Sequence, residues 1–250
     1  MKLLDPRTIF LGLLGLMTVY IVPVQAQMGS GASPMPGLDS ALRVIFGKDR
    51  AFSATTVTAI KGGGQNMTMK AAVSVLDGMT RTEIDMADIK GAMVPPQALA
   101  QIQALHMDKI VTLIINDGNT SVVIYPGMNA CVETPTSGSE DAGDCAIRVT
   151  GTSDDEIDGR KLLKKEIEVN CKSFEQQKFT VWEDKSQPDI PVRLATEQNG
   201  VNLTMTLSDV KTAKPESQLF VPPLEFQKFD SMQALMSHVQ KKMFQQSPSK

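Results

Sequence analysis

Between Asn66 and Val75 the chain alternates apolar and polar positions: Met67, Met69, Ala71, Val73 and Val75 fall on one side, Asn66, Thr68, Lys70 and Ser74 on the other. A period of two is that of a β-strand with one buried face. Asp77-Gly78 then offers a two-residue turn into Thr80, Thr82, Ile84 and Met86, which reads as a hairpin. The same grammar recurs. Lys109 to Ile115 returns through Asn116-Asp117-Gly118-Asn119 into Thr120 to Tyr125, and Pro191 to Glu197 returns through Asn199-Gly200 into Val201 to Leu207. Ile147 to Thr150, Leu163 to Val169 and Lys178 to Glu183 add further strands, about ten in all. Lys61-Gly62-Gly63-Gly64 has the glycine content of a phosphate loop but no following Gly-Lys-Ser/Thr, and it reads as another hairpin connection.

Three segments follow a helical period instead. Leu38, Leu42, Ile45 and Phe46 precede a stop at Gly47; Pro95 to Met107 places Leu99, Ile102 and Leu105 on one side. After the cap candidates Asp230-Ser231, Met232, Leu235, Met236, Val239 and Met243 share a face. The expected fold is therefore α+β, a large antiparallel sheet of about ten strands covered on one face by about three helices.

The N-terminus has its own pattern. Lys2 and Arg7 precede the 14-residue apolar run Ile9 to Val22, followed by Pro23-Val24-Gln25-Ala26. This is the order of a secretory signal peptide, cut after Ala26. The run is short of the roughly 20 residues that span a bilayer, so an uncleaved anchor is the lesser alternative. The expected organisation is a signal peptide over 1–26, a flexible leader over 27–36, a single domain over 37–244 and a disordered tail over 245–250. No later stretch is apolar enough to span a membrane, so the mature chain is expected not to be an integral membrane protein.

Past residue 26 the chain carries 23 basic and 27 acidic residues without a polybasic run, which argues against a nucleic-acid partner. An oxidising compartment favours a disulfide among Cys131, Cys145 and Cys171. Of the three pairings, Cys131 with Cys145 is the expected one, since they flank a polar loop that reads as a hairpin connection; three separate thiols are the alternative.

Catalytic and metal motifs are missing. His106 and His238, both on expected helices, have no partner at ligand or triad spacing, and neither GxSxG, HExxH, Walker A nor GxGxxG occurs. Asp154-Asp155-Glu156 with Asp158, and Glu183-Asp184, are dense in carboxylates but lie beside turns, where solvated acids are ordinary. No enzyme activity, metal or cofactor is expected. Methionine is in excess, 13 residues beyond position 26, and thioether side chains adapt to apolar ligands of varied shape as readily as they fill gaps in a core. The inward alternates Met67, Met69, Val73, Val75, Leu203 and Met205 are the candidate ligand-binding residues.

Four segments in order carry a family resemblance: Glu156-Ile157-Asp158-Gly159-Arg160-Lys161, Phe179 to Asp184 around Trp182, Pro188 to Leu194, and Ser217-Gln218-Leu219-Phe220-Val221-Pro222-Pro223. The chain resembles an uncharacterised periplasmic branch related to the outer-membrane lipoprotein-sorting carriers, the LolA/LolB-like fold. That resemblance implies a half-open barrel whose concave face is closed by helices around a cavity for acyl chains. Where the carriers use an arginine-controlled lid, Arg43, Arg81 and Arg193 are the candidates here. The expected function is then a non-catalytic periplasmic carrier or binding protein for a lipid or other apolar ligand. The alternative is an envelope protein-interaction or sensing module with a filled core and a protein partner.

Overall fold

The computed structural model describes residues 38–47, 49–91, 95–115, 119–135, 145–171 and 174–246. The expected signal peptide, leader and the last residues of the tail lie outside them. Helix α1 spans Leu38–Phe46, α2 Pro96–Ala104 and α3 Met232–Gln246. The strands are β1 Ala51–Gly62, β2 Gln65–Leu76, β3 Met79–Asp85, β4 Lys90–Gly91, β5 Lys109–Ile115, β6 Thr120–Tyr125, β7 Ala130–Pro135, β8 Ala146–Ile157, β9 Arg160–Cys171, β10 Phe174–Asp184, β11 Gln187–Gln198, β12 Val201–Lys211 and β13 Gln227–Phe229.

All belong to one sheet in the order β13-β7-β6-β5-β3-β2-β1-β12-β11-β10-β9-β8, with β4 against β2. Every pairing is antiparallel except β13 on β7. The mostly-β, open antiparallel sheet with three short helices is as expected; among the described residues the strands number thirteen rather than about ten, the additional ones being β1, β4, β7 and β13, of which β4 and β13 are very short.

Hairpin turns set the register. Gly63-Gly64, Asp77-Gly78, Asp158-Gly159 and Asn199-Gly200 each hold both central residues at positive φ, as a type I′ turn requires. Gly62 is fixed for another reason. A Cβ there would come within 2.0 Å of the Gly200 carbonyl oxygen, so only glycine lets β1 end beside the β11–β12 turn. The helix ends agree with the sequence: Gly47 donates to Arg43 and Val44 at φ +81°, and the Ser231 hydroxyl accepts from the Ala234 amide at the start of α3. His106 is a correction. It follows α2 at φ +55°, terminating the helix instead of riding on it.

Register separates the two faces. Even-numbered β1 residues Phe52, Ala54, Thr56, Thr58 and Ile60 are buried, and their partners on β2 are Val75, Val73, Ala71, Met69 and Met67. This is the helix-bearing face. Ala41, Ile45 and Phe46 of α1 pack on it with Ile167, Phe179, Leu194 and Leu203, and the Phe46 and Phe52 rings lie 5.6 Å apart. Further along the same face, Leu235 and Val239 of α3 and Ile102 beside them cover Val123, Tyr125 and Val132. The Tyr125 hydroxyl lies 3.9 Å from the Met232 sulfur, and burial pushes its ionisation well above the usual phenol range. On the opposite face Val111, Leu113, Val122, Ile124 and Cys131 form a smaller cluster with Phe226. The segment before β13 reaches this face as well, where Arg81 donates to the Leu219 carbonyl.

The expected Cys131–Cys145 pairing does not form. Cys145 is bonded to Cys171, with Cα atoms 4.1 Å apart, and Cys131 is a buried free thiol. The reason is topological: β7, which holds Cys131, lies near one edge of the sheet, whereas β8 forms the other edge. The strands on either side of the polar segment do not pair with each other. Cys145 and Cys171 follow in register from Ala146 opposite Asn170, at the open end of the β8–β9 hairpin.

Thiol titration of the unreduced, denatured chain should give one thiol, and the Cys131→Ser variant none. Replacing Cys145 and Cys171 together by alanine should cost about 3 kcal/mol in a denaturant titration, from a closed loop of this length.

Candidate functional site

Hydrogen-bonded partners place the candidate residues in transverse rows. One runs Val149, Ile167, Phe179, Thr196, Leu203, Ile60, Met67 across β8 to β2. Its neighbour runs Lys165, Val181, Leu194, Met205, Thr58, Met69. Met67, Met69, Val73, Val75, Leu203 and Met205 therefore all project from the helix-bearing face. Their burial differs. Met67, Val75 and Leu203 are core residues, at 8%, 2% and 2% exposure, whereas Met69, Val73 and Met205 are half-buried.

Two separate apolar clusters cover this face, one under α1 and one under α2 and α3. Between them run Val73, Thr82, Thr112 and Val123, so the middle of the row is threonine while its ends are apolar. Against α1, a void of about 10 Å³ is lined by Arg43, Phe46, Val75 and Thr80. That is below the size of an acyl chain. Of the three arginines considered for a lid, Arg43 alone is carried by a helix of this face. Arg81 pairs with Glu83 and reaches Leu219, and Arg193 lies 5.4 Å from the centre of the Trp182 ring.

The opposite face of β9–β12 is polar. A groove of about 510 Å³ has Glu166, Thr180, Ala195 and Thr204 as its floor, which are cross-strand neighbours, with Glu168, Lys178, Glu197 and Asn202 along one side. Glu168 is held by Arg148 at 2.6 Å and by Lys178 at 3.9 Å. Sequence reasoning had no means to find this groove, since its small floor residues come from four strands.

The acidic clusters disperse into separate contacts. Asp154 pairs with Lys185 at 2.7 Å, Asp155 accepts from the Trp182 indole at 2.8 Å, and Glu183 pairs with Lys165 at 2.6 Å. Trp182, the one tryptophan of the chain, is thus fixed between a carboxylate and a guanidinium on the open face. The hydrogen bond from Trp182 lowers the Asp155 carboxyl, with the Glu156 amide adding to it. The Ser186 hydroxyl and amide, with Arg160, hold Asp184 at about 2. Among the described residues no group of three or more His, Cys, Asp or Glu side chains is arranged to hold a metal ion. Nor is any helix there long and apolar enough to cross a membrane.

The chain aligns along most of its length with several solved structures, each at a TM-score below 0.4. Among them, the LolA superfamily protein NE2245 from Nitrosomonas europaea is 12% identical, with 74% of this chain and 95% of that one aligned at a TM-score of 0.38. The Mycobacterium tuberculosis lipoprotein LppX is 14% identical over 72% of this chain and 94% of its own, at 0.37. A structure of the Pseudomonas aeruginosa MucA/MucB complex contributes a chain 13% identical, covering 77% of this chain and 63% of its own at 0.33. Neither a protein-family model nor a curated protein matches the sequence.

The Asp184 carboxyl gives a pH test. Its ionised form is stabilised on folding, so that contribution is complete above the unfolded value near 4 and is lost as pH falls through about 2. Carboxyl NMR should show a midpoint near 2 for Asp184, and Asp184→Asn should flatten the acid limb of the stability profile.

Proposed function

We propose that this chain is a non-catalytic binding or carrier protein of the bacterial periplasm whose helix-bearing face receives an apolar ligand such as a lipid acyl chain. One observation carries the reading: on an apolar face covered in two patches, Met69, Val73 and Met205 stay half-buried, the last two packed against the patch under α1. Unbranched thioethers at two of these positions tolerate ligands of different shape. The disulfide suits an oxidising compartment, in keeping with the signal-peptide pattern of residues 1–26. A ligand would enter by displacing α1 or the α2–α3 pair, since the void already present against α1 is small.

That small void supports a second reading, a protein-interaction module with a filled core. Met67, Val75 and Leu203 already have the burial of packing residues.

The two readings separate on one experiment. Gently extracted protein should co-purify with lipid visible by mass spectrometry, and delipidated protein should take up a fluorescent fatty acid. Met69→Glu and Met205→Glu, at half-buried positions, should each reduce uptake at least tenfold while circular dichroism is retained. Lipid-free protein that ignores the probe would leave the filled-core reading standing.

A further inference from the structure

The β8 edge carries an inference independent of any ligand under the helices. The other end of the sheet is closed by a three-residue strand, β13, with α3 packed beside it. By contrast β8 is twelve residues long, and among the described residues no strand pairs with its outer side. A row of unpaired backbone amides and carbonyls in the sheet plane is a template for one more strand, and natural sheets usually shorten, charge or bend such an edge.

β8 is protected over only part of its length. A bulge between Val149 and Gly151 shifts the register, and past it the edge becomes acidic. Residues opposite Ile167, Lys165, Leu163 and Lys161 project on the helix-bearing face, so that side of the edge reads Ile147, Val149, Thr152, Asp154, Glu156. The first two are large, apolar and 41% and 53% exposed, although they extend the same rows as buried Val169 and Ile167. Asp154 and Glu156 are exposed. An apolar half and an acidic half thus stand in line on one face of this edge strand, which touches α1 but has no strand partner on its outer side among the described residues.

We propose that β8 binds an extended segment of a protein partner by strand addition. The segment places alternate apolar side chains beside Ile147 and Val149, and basic side chains opposite Asp154 and Glu156. In the antiparallel arrangement basic residues precede the apolar ones. A second copy of this chain is the wrong occupant. Antiparallel pairing of β8 with itself sets Ile147 and Val149 against the acidic half of its twin, which leaves apolar side chains facing carboxylates and brings those carboxylates no cation beyond the Lys185 that Asp154 already holds. Main-chain hydrogen bonds supply the attachment, and the two-part face supplies the choice of sequence.

The probe is the synthetic peptide Lys-Thr-Lys-Thr-Thr-Thr-Val-Thr-Val, whose residues 1, 3, 5, 7 and 9 take the spacing that β9 uses opposite Glu156, Asp154, Thr152, Val149 and Ile147, with the same residues scrambled and a Glu-for-Lys version as controls. Expected are saturable binding in fluorescence anisotropy that weakens with salt, at least tenfold weaker binding of both controls, and new hydrogen-exchange protection at β8 amides. Val149→Lys and Glu156→Lys, both at exposed positions, should each weaken binding at least fivefold with thermal unfolding unchanged. Binding that ignores both substitutions, protection elsewhere than β8, no binding at millimolar peptide, or a β8-dependent dimer in sedimentation would each overturn the proposal. None of these outcomes depends on fatty-acid uptake, so this proposal and the apolar-ligand reading can fail separately.

Discussion

The pairing of β1 with β12 unites two sheets into one. Strands β1 to β7 form one succession of neighbours and β8 to β12 another, each built mostly from hairpins; the ladder from Ser53–Lys211 to Gly62–Val201 is where they meet. Hairpins close over a few residues, but this ladder joins positions about 150 apart in sequence, so its loop-closure entropy is recovered only by long-range contacts. Ile60, Leu203 and Leu207 supply them, buried at the junction under α1. Gly62 lets the ladder end against the β11–β12 turn without a clash. Without this junction the apolar rows would stop at β1, and no continuous face would run from Met67 to Val149.

The two faces then divide the work by chemistry. The helix-bearing face gathers the aliphatic and thioether side chains over β1, β2 and β9 to β12, and its charged groups, the Lys165–Glu183 pair with Asp154 and Glu156, lie toward the β8–β9 turn. The open face of β8–β11 holds ion pairs and the Asp155–Trp182–Arg193 stack. Exposed pairs of this kind contribute at most about 1 kcal/mol each. Their larger effect is on geometry, since they fix which side of β9 and β10 faces water, with Ile167, Val169, Phe179 and Val181 buried on the other.

Much of the sheet was legible because its signals are local. Met67 to Val75 alternates cleanly, and Asp77-Gly78 and Asn199-Gly200 fix their turns whatever surrounds them. The six candidate residues share a face for the same reason: residues of one parity on paired strands project together. Which of them are packed and which half-exposed was not legible, because that depends on where the helices settle. The cysteine pairing failed at the same boundary. A polar segment between Cys131 and Cys145 resembles a hairpin, and only the strand order shows that β7 and β8 lie toward opposite edges of the sheet. Counting outward from Asp158-Gly159 along β8 and β9 was the available signal, although the bulge near Gly151 shifts the count by one.

Cys131 has a consequence for how the molecule ages. While the fold is intact the thiol is buried beside Val122 and Ile124, and burial holds it in the less reactive protonated form. On opening, it becomes a nucleophile in the same chain as a disulfide, and thiol–disulfide exchange offers it either Cys145 or Cys171. Each global unfolding event in an oxidising, mildly alkaline medium is then a chance to lock the chain into a pairing that its strand order forbids. Durability is thereby set by how seldom the protein opens, a kinetic quantity, more than by its equilibrium stability.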